Sequence, residues 1–293
     1  MDNRAGTVVN VTTTDGYVLH GNYCGVEKAT TAILHMHGTG GNFYGNNFYT
    51  EIAKTVNEAG VSYLTTNSHG SGVYEFEVGT PLSGISLEIF ENCLLDIDAW
   101  IEFLLARGTK SIILEGHSFG IGKVTYYMAK GKYKDKVKAV IFLGTNGVFQ
   151  TQQQYLAKKG VPPEVYLAEA NKFMAMGKPT AILADPTALC GYYPASAQTY
   201  INFFRVASEM YRSTQMATGE DGGYRHLITV PLLWILGDDP QKEYLFVPFE
   251  DAFALVRSEN PQVAIHQLTK CDHGLNGHEE EAAALIADFL KHI

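Results

Sequence analysis

The sequence predicts an α/β protein: a mostly parallel eight-stranded sheet flanked by helices, with one helical insertion. Three observations predict it. Short β-branched apolar runs alternate with helix-period segments through the first half of the 293 residues. That alternation stops after residue 146 and resumes at residue 230. Between them, Gly147 to Thr229 offers no clear strand and is broken by Pro162-Pro163, Pro179, Pro186 and Pro194. The expected organisation is therefore a core made of residues 1–146 and 230–293, with residues 147–229 as a helical lid.

Each element follows from local pattern. Thr7–Thr14 and Tyr17–Tyr23 flank Asp15-Gly16, a two-residue hairpin signature, so the sheet should open with an antiparallel pair. Thr31–His37 reads as the third strand. Phe48–Glu58 reads as a helix closed by Gly60, and Val61–Thr66 as the fourth strand. From Leu87 to Leu105, Phe90, Leu94, Ile97, Ile101 and Leu104 recur at helical spacing. Lys110–Glu115 and Lys138–Leu143 are buried strands either side of a helix. In the insertion, large aromatics such as Tyr155, Tyr166, Tyr193, Tyr200 and Phe203 suit helix packing, and a few could face a ligand. After it come a strand at Leu232–Leu236, a helix near Phe249–Arg257, a last strand at Val263–Leu268 and a closing helix at Glu279–Ile293.

Composition narrows the function classes. A net charge of −9 argues against nucleic-acid and anionic-membrane partners. No apolar run is long enough to span a bilayer, and Met1–Gly6 lacks the apolar core of a signal peptide. Cys24, Cys93, Cys190 and Cys271 are scattered without metal-ligand or redox spacing, as expected of buried thiols in a reducing compartment. The expected location is the cytoplasm. The expected partner is a small-molecule ester substrate, with a homodimer left open.

The chemistry centres on Gly116-His117-Ser118-Phe119-Gly120, which stands between a buried strand and a helix. A serine between two glycines at a strand-to-helix turn is a nucleophile elbow: the tight turn lifts the hydroxyl clear of the sheet. A serine hydroxyl is a weak nucleophile and needs a base. His273, in the loop between the last strand and the last helix, is the best placed of ten histidines. Loops at the carboxyl ends of parallel strands gather at the sheet edge where Ser118 sits. The imidazole in turn needs a carboxylate to orient it. Leu236-Gly237-Asp238-Asp239-Pro240 offers two, and Asp239 is preferred over Asp238, with the other capping the turn. Asp272, adjacent to His273, is badly placed for that role and reads as structural.

An acyl-transfer site also needs donors for the developing oxyanion. The backbone N–H of Phe119 is one. The second is assigned to the N–H of Thr39, in the glycine-rich loop His37-Gly38-Thr39-Gly40-Gly41-Asn42 after the third strand. His35 and His37 share a strand face and could hold zinc, but no third ligand is evident, so neither a metal nor another cofactor is expected. His69, in Ser68-His69-Gly70, reads as structural near the rim of the site.

Together these motifs resemble the α/β-hydrolase superfamily over nearly the whole chain. Within it, His37-Gly38-Thr39-Gly40-Gly41-Asn42-Phe43-Tyr44, Pro194-Ala195-Ser196-Ala197-Gln198-Thr199-Tyr200 and Gly237-Asp238-Asp239 resemble hydrolases related to fungal siderophore (fusarinine-type) esterases. The resemblance implies a nucleophile at Ser118, a base at His273 and an acid at Asp239. It departs from the family at Ser68-His69-Gly70, where many relatives carry Arg-Gly. The expected activity is hydrolysis of a carboxylic ester through an acyl-serine. A thioesterase, an amidase, a cyanohydrin-type lyase and a non-catalytic ligand sensor share the same residues.

Overall fold

Apolar side chains on both faces of each central strand set the architecture of the computed structural model, which describes residues 6–214 and 223–293. The expectations for residues 1–5, and for 215–222 as part of the insertion, lie outside the described residues. Thr7–Thr12 (β1) pairs antiparallel with Val18–Cys24 (β2), and β2 pairs antiparallel with Ser62–Thr66 (β4). From β4 onward every pairing is parallel, through Thr31–Met36 (β3), Ser111–His117 (β5), Val137–Leu143 (β6), Leu232–Gly237 (β7) and Val263–Leu268 (β8). The order is β1-β2-β4-β3-β5-β6-β7-β8, the eight-stranded, mostly parallel sheet that the sequence predicts.

The hairpin at Asp15-Gly16 is wider than two residues. Thr13 to Tyr17 form the loop, because the Thr13 hydroxyl donates to Asp15 at 2.6 Å and accepts from the Tyr17 N–H at 3.0 Å. Side-chain bonding closes the turn before a two-residue connection can form.

Period-two alternation sorts the central strands into two cores. Leu34, Leu114, Phe142 and Trp234 face one side, against Cys93–Leu105 (α2), Phe119–Lys130 (α3) and Phe249–Glu259 (α8). Ile33, Ile113, Ile141 and Ile235 face the other, against Phe48–Glu58 (α1) and Glu279–Leu290 (α9). Burying each such side chain is worth roughly 1.5–3 kcal/mol, which makes this double-sided sheet the rigid frame for the site.

Between β6 and β7 lie Val148–Lys159 (α4), Pro163–Ala175 (α5), Ala197–Phe204 (α6) and Glu209–Ser213 (α7), joined by turns and isolated bridges. Their side chains build a third core with Phe90, Phe119 and Tyr126. That packing explains one departure from the periodicity. The helix expected from Leu87 begins only at Cys93, since Ile89 is extended and Phe90 turns into the third core, its N–H donating to Asn202 at 2.8 Å.

Candidate active site

Ser118 stands between β5 and α3 with φ +55° and ψ −123°, the left-handed region that a side chain rarely adopts. The serine itself carries the strained conformation, and the flanking glycines supply clearance. A Cβ on Gly120 would come within 2.1 Å of the Met36 carbonyl oxygen, and one on Gly116 within 2.6 Å of the Gly120 backbone. The elbow is wedged against the end of β3, so its strain is held by backbone on two sides.

The loop His37-Gly38-Thr39-Gly40-Gly41-Asn42 approaches Ser118 through Gly38, where a Cβ would lie 2.9 Å from the Ser118 Cβ and 3.3 Å from Oγ. The Thr39 N–H donates to no acceptor among the described residues, and Thr39 lines the same cavity as Ser118. Phe119 is the first residue of α3, where backbone N–H groups have no partner within the helix. Both proposed donors are thus available.

A buried polar chain supports this loop. His37 Nδ1–H donates to the Gly38 carbonyl at 2.7 Å, and Nε2 faces the hydroxyls of Ser71 at 2.8 Å and Ser68 at 3.0 Å. Lys123 Nζ donates to Ser68 at 3.0 Å and pairs with Glu88 at 2.6 Å, all of it buried. Burial, helped by the nearby Lys123 ammonium, holds the His37 imidazole well below its ordinary pKa, so it stays neutral. His35 is engaged elsewhere: its Nδ1 lies 2.6 Å from Glu115, the residue beside it in the β3–β5 register. His69 binds Asp96 at 2.5 Å and Asp15 at 3.2 Å. Burial alone would lower its pKa, but the two carboxylates raise it above the ordinary value.

The structure corrects the choice of carboxylate. Glu243, fully buried, places Oε2 3.0 Å from His273 Nδ1, while its Oε1 accepts the Gly237 N–H at 2.6 Å. The Asp239 carboxylate is 40% exposed. Its Oδ1 accepts the N–H groups of Gln241 at 3.0 Å and Lys242 at 3.4 Å, which hold its carboxyl below the usual range. Asp239 therefore caps a turn, and the turn swings Glu243 inward: the Glu243 N–H donates to the Asp239 carbonyl at 2.9 Å. Asp238 is spent on the Lys270 N–H at 2.8 Å, and Asp272 on its own loop. Gly144, with φ +72°, leaves the space that the pair needs; a Cβ there would lie 2.9 Å from His273 Nδ1 and 3.1 Å from Glu243 Oε2.

With Nδ1 committed to Glu243, Nε2 is the free nitrogen of His273; it is buried and has no hydrogen-bond partner among the described residues. His117, next to Ser118, clips the loop that carries His273. Its Nε2–H donates to the His273 carbonyl at 2.7 Å, and the two rings lie 5.0 Å apart, tilted by 39°. Burial, followed by the neighbouring His273, pushes its pKa down to about 3.

Ser118, His273, Thr39 and His117 line one cavity of about 310 Å³, lined also by Val148, Thr151, Cys190, Tyr192 and Tyr193 from the segment between β6 and β7. The sequence reading missed Glu243, Lys123 with Glu88, and Tyr244, whose ring meets His273 edge-on at 4.9 Å. Among the described residues no group of histidine, cysteine, aspartate and glutamate side chains is arranged to hold a metal ion. No described helix is long and apolar enough to cross a membrane.

No family model matches the chain, and no curated protein sequence matches it. Solved structures do. The ferulic-acid complex of Est1E from Butyrivibrio proteoclasticus is 17% identical, with a TM-score of 0.62 over 96% of this chain and 98% of that one. A soluble variant of monoglyceride lipase from Saccharomyces cerevisiae is 13% identical, with a TM-score of 0.66 over 98% and 96%. The α/β hydrolase GrgF from a Penicillium species is 16% identical, with a TM-score of 0.65 over 98% of both chains. At these identities the likeness establishes the α/β-hydrolase fold.

Proposed function

We propose that this protein is a serine hydrolase of carboxylic esters, working through an acyl-serine without a cofactor. The observation that carries the reading is a strained Ser118 sharing one cavity with His273, whose Nδ1 is held by buried Glu243. Glu243 fixes the proton on Nδ1 and leaves Nε2 as the base. Nε2 takes the Ser118 proton as Oγ attacks the ester carbonyl, and the Phe119 and Thr39 N–H groups receive the oxyanion. Collapse of the tetrahedral intermediate breaks the ester C–O bond, and Nε2 returns the proton to the leaving alcohol. Water, deprotonated by the same nitrogen, then releases the acid from Ser118.

The proposal extends to residues 147–229 as a lid, supported by the five residues between Val148 and Tyr193 that line the cavity. It includes kinship with the fusarinine-type esterases, supported by the motif residues 37–44 and 194–200. A reducing location such as the cytoplasm is supported by four buried free thiols.

The test is Ser118→Ala with a panel of aryl esters and an active-site-directed phosphonate. Turnover falls by at least about 10⁴-fold, labelling disappears, and the circular dichroism spectrum is unchanged. Wild-type turnover in a folded Ser118→Ala protein removes the proposal.

A further inference from the structure

The cavity wall is unusual in what it lacks. None of the described residues lining it is lysine, arginine, aspartate or glutamate. Its two histidines carry no free cationic role: His117 is buried with a pKa near 3, and His273 is tied to Glu243. The buried ammonium of Lys123 is spent on Glu88 and Ser68. The buried carboxylate of Glu243 stands behind His273 and would repel an anion. An acyl group bearing a carboxylate would meet polar side chains such as Asn46, Asn146 and Thr151 in this lining but no cation to balance its charge.

Two tyrosines flank the nucleophile. On the oxyanion side, the Tyr193 ring end covers Gly40, within 3.1 Å of where a Cβ would stand. On the base side, Tyr244 holds its ring 4.9 Å from His273 at an interplanar angle of 80°. Tyr244 keeps this place at φ +53°, a left-handed conformation that a tyrosine adopts only under constraint. Val148 adds an apolar wall, and Thr151, Asn146 and Asn46 add polar side chains to the lining. The volume of about 310 Å³ is at the small end for ligand sites, suited to one ring on a short spacer.

Resting on the serine-hydrolase reading, we propose that the site selects an uncharged acyl group carrying one aromatic ring on a short chain, of phenylpropanoyl type, seated between Tyr193 and Tyr244, and rejects acyl groups that end in a carboxylate.

The experiment compares four 4-nitrophenyl esters on the full chain: acetate, 3-phenylpropanoate, hemisuccinate and methyl succinate. The last two differ only in whether the distal carboxylate is free or capped. The expected kcat/KM for 3-phenylpropanoate exceeds that for acetate by at least about tenfold, the combined reach of two ring contacts. Hemisuccinate is expected to lie about 100-fold or more below methyl succinate. Tyr193→Ala and Tyr244→Ala should each pull the phenylpropanoate-to-acetate ratio toward one, whatever happens to absolute rates. Thr151→Lys, at a half-exposed lining position, should narrow the gap between hemisuccinate and methyl succinate.

Ser118-dependent acetate hydrolysis with a hemisuccinate-to-methyl-succinate ratio near one overturns this inference and leaves the hydrolase reading intact. So does a phenylpropanoate rate no better than acetate, or a ratio unmoved by both tyrosine variants. Failure to hydrolyse any of the four esters removes the hydrolase reading, and the selectivity with it.

Discussion

Glu243→Gln separates the buried carboxylate from the one that the chain order suggests. Oε1 of the glutamine can still accept the Gly237 N–H, so the turn after β7 keeps its anchor. The other end becomes an NH₂ group facing His273 Nδ1, which must then accept a hydrogen bond rather than donate one. The imidazole is driven to the tautomer that carries its proton on Nε2, the nitrogen that Ser118 needs as a base. The charge is lost as well. At the observed 3.0 Å and an effective dielectric near 20, a carboxylate stabilises an imidazolium by about 332/(20 × 3.0), or about 5.5 kcal/mol. At about 1.36 kcal/mol per decade, that is a loss of about four decades in kcat. The corresponding aspartate-to-asparagine change in a serine–histidine–aspartate triad costs about 10⁴. Asp239→Asn is the matched control: asparagine caps turns as well as aspartate, and this side chain faces solvent. It should keep activity within about twofold, given that solvent-facing changes away from special contacts cost less than about 0.5 kcal/mol. The assay is kcat on 4-nitrophenyl acetate for both purified variants, with thermal melts to establish folding. If Glu243→Gln keeps more than a tenth of the activity while Asp239→Asn loses most of it, the geometric assignment of the acid is wrong.

Two further outcomes test the frame around the site. His117 stays neutral in the folded protein, with a pKa near 3, whereas in the unfolded chain a histidine takes up a proton below about 6.5. The unfolded state therefore binds more protons between those values, and this residue's contribution to stability is lost as pH falls from 6.5 toward 3. His117→Gln keeps a donor for the His273 carbonyl without titrating, so the unfolding free energy from urea titrations should fall less steeply over that window, by up to about 1.4 kcal/mol per pH unit; an unaltered slope would exclude His117 as the source. Gly120→Ala puts a methyl group within 2.1 Å of the Met36 carbonyl oxygen, and the atoms it meets are backbone of Met36 and His37 rather than a flexible side chain that could yield. Destabilisation of about 3 kcal/mol or more is expected from chemical denaturation, and an alanine variant of native stability would mean that the elbow is not wedged as described.

What could be read from the sequence divides according to how local its cause is. The sheet was legible because its strands are buried on both faces, so each is a short β-branched run bounded by turn residues. Ser118 was legible because an elbow is built within five residues and only glycine fits beside the β3 carbonyls. His273 followed from topology, since the loops after parallel strands share one edge. The supporting ion pair of Glu88 with Lys123 could not be read, because a lysine in a helix ordinarily points to solvent and its partner lies 35 positions earlier. The carboxylate that meets His273 was missed for a different reason. Choosing between Asp238 and Asp239 assumed an extended loop after β7, in which the first carboxylates past the strand reach the histidine. Yet Asp239-Pro240 is also the pattern of a cap followed by a first-turn proline, and that reading predicts a tight coil. A coil turns the capping aspartate outward to the amides of Gln241 and Lys242, and returns the chain inward about one turn later. That inward position is Glu243, whose longer side chain spans both the Gly237 amide and the His273 ring. The same two residues thus carried evidence against themselves as acids, and weighing cap chemistry before strand order would have moved the choice four positions along.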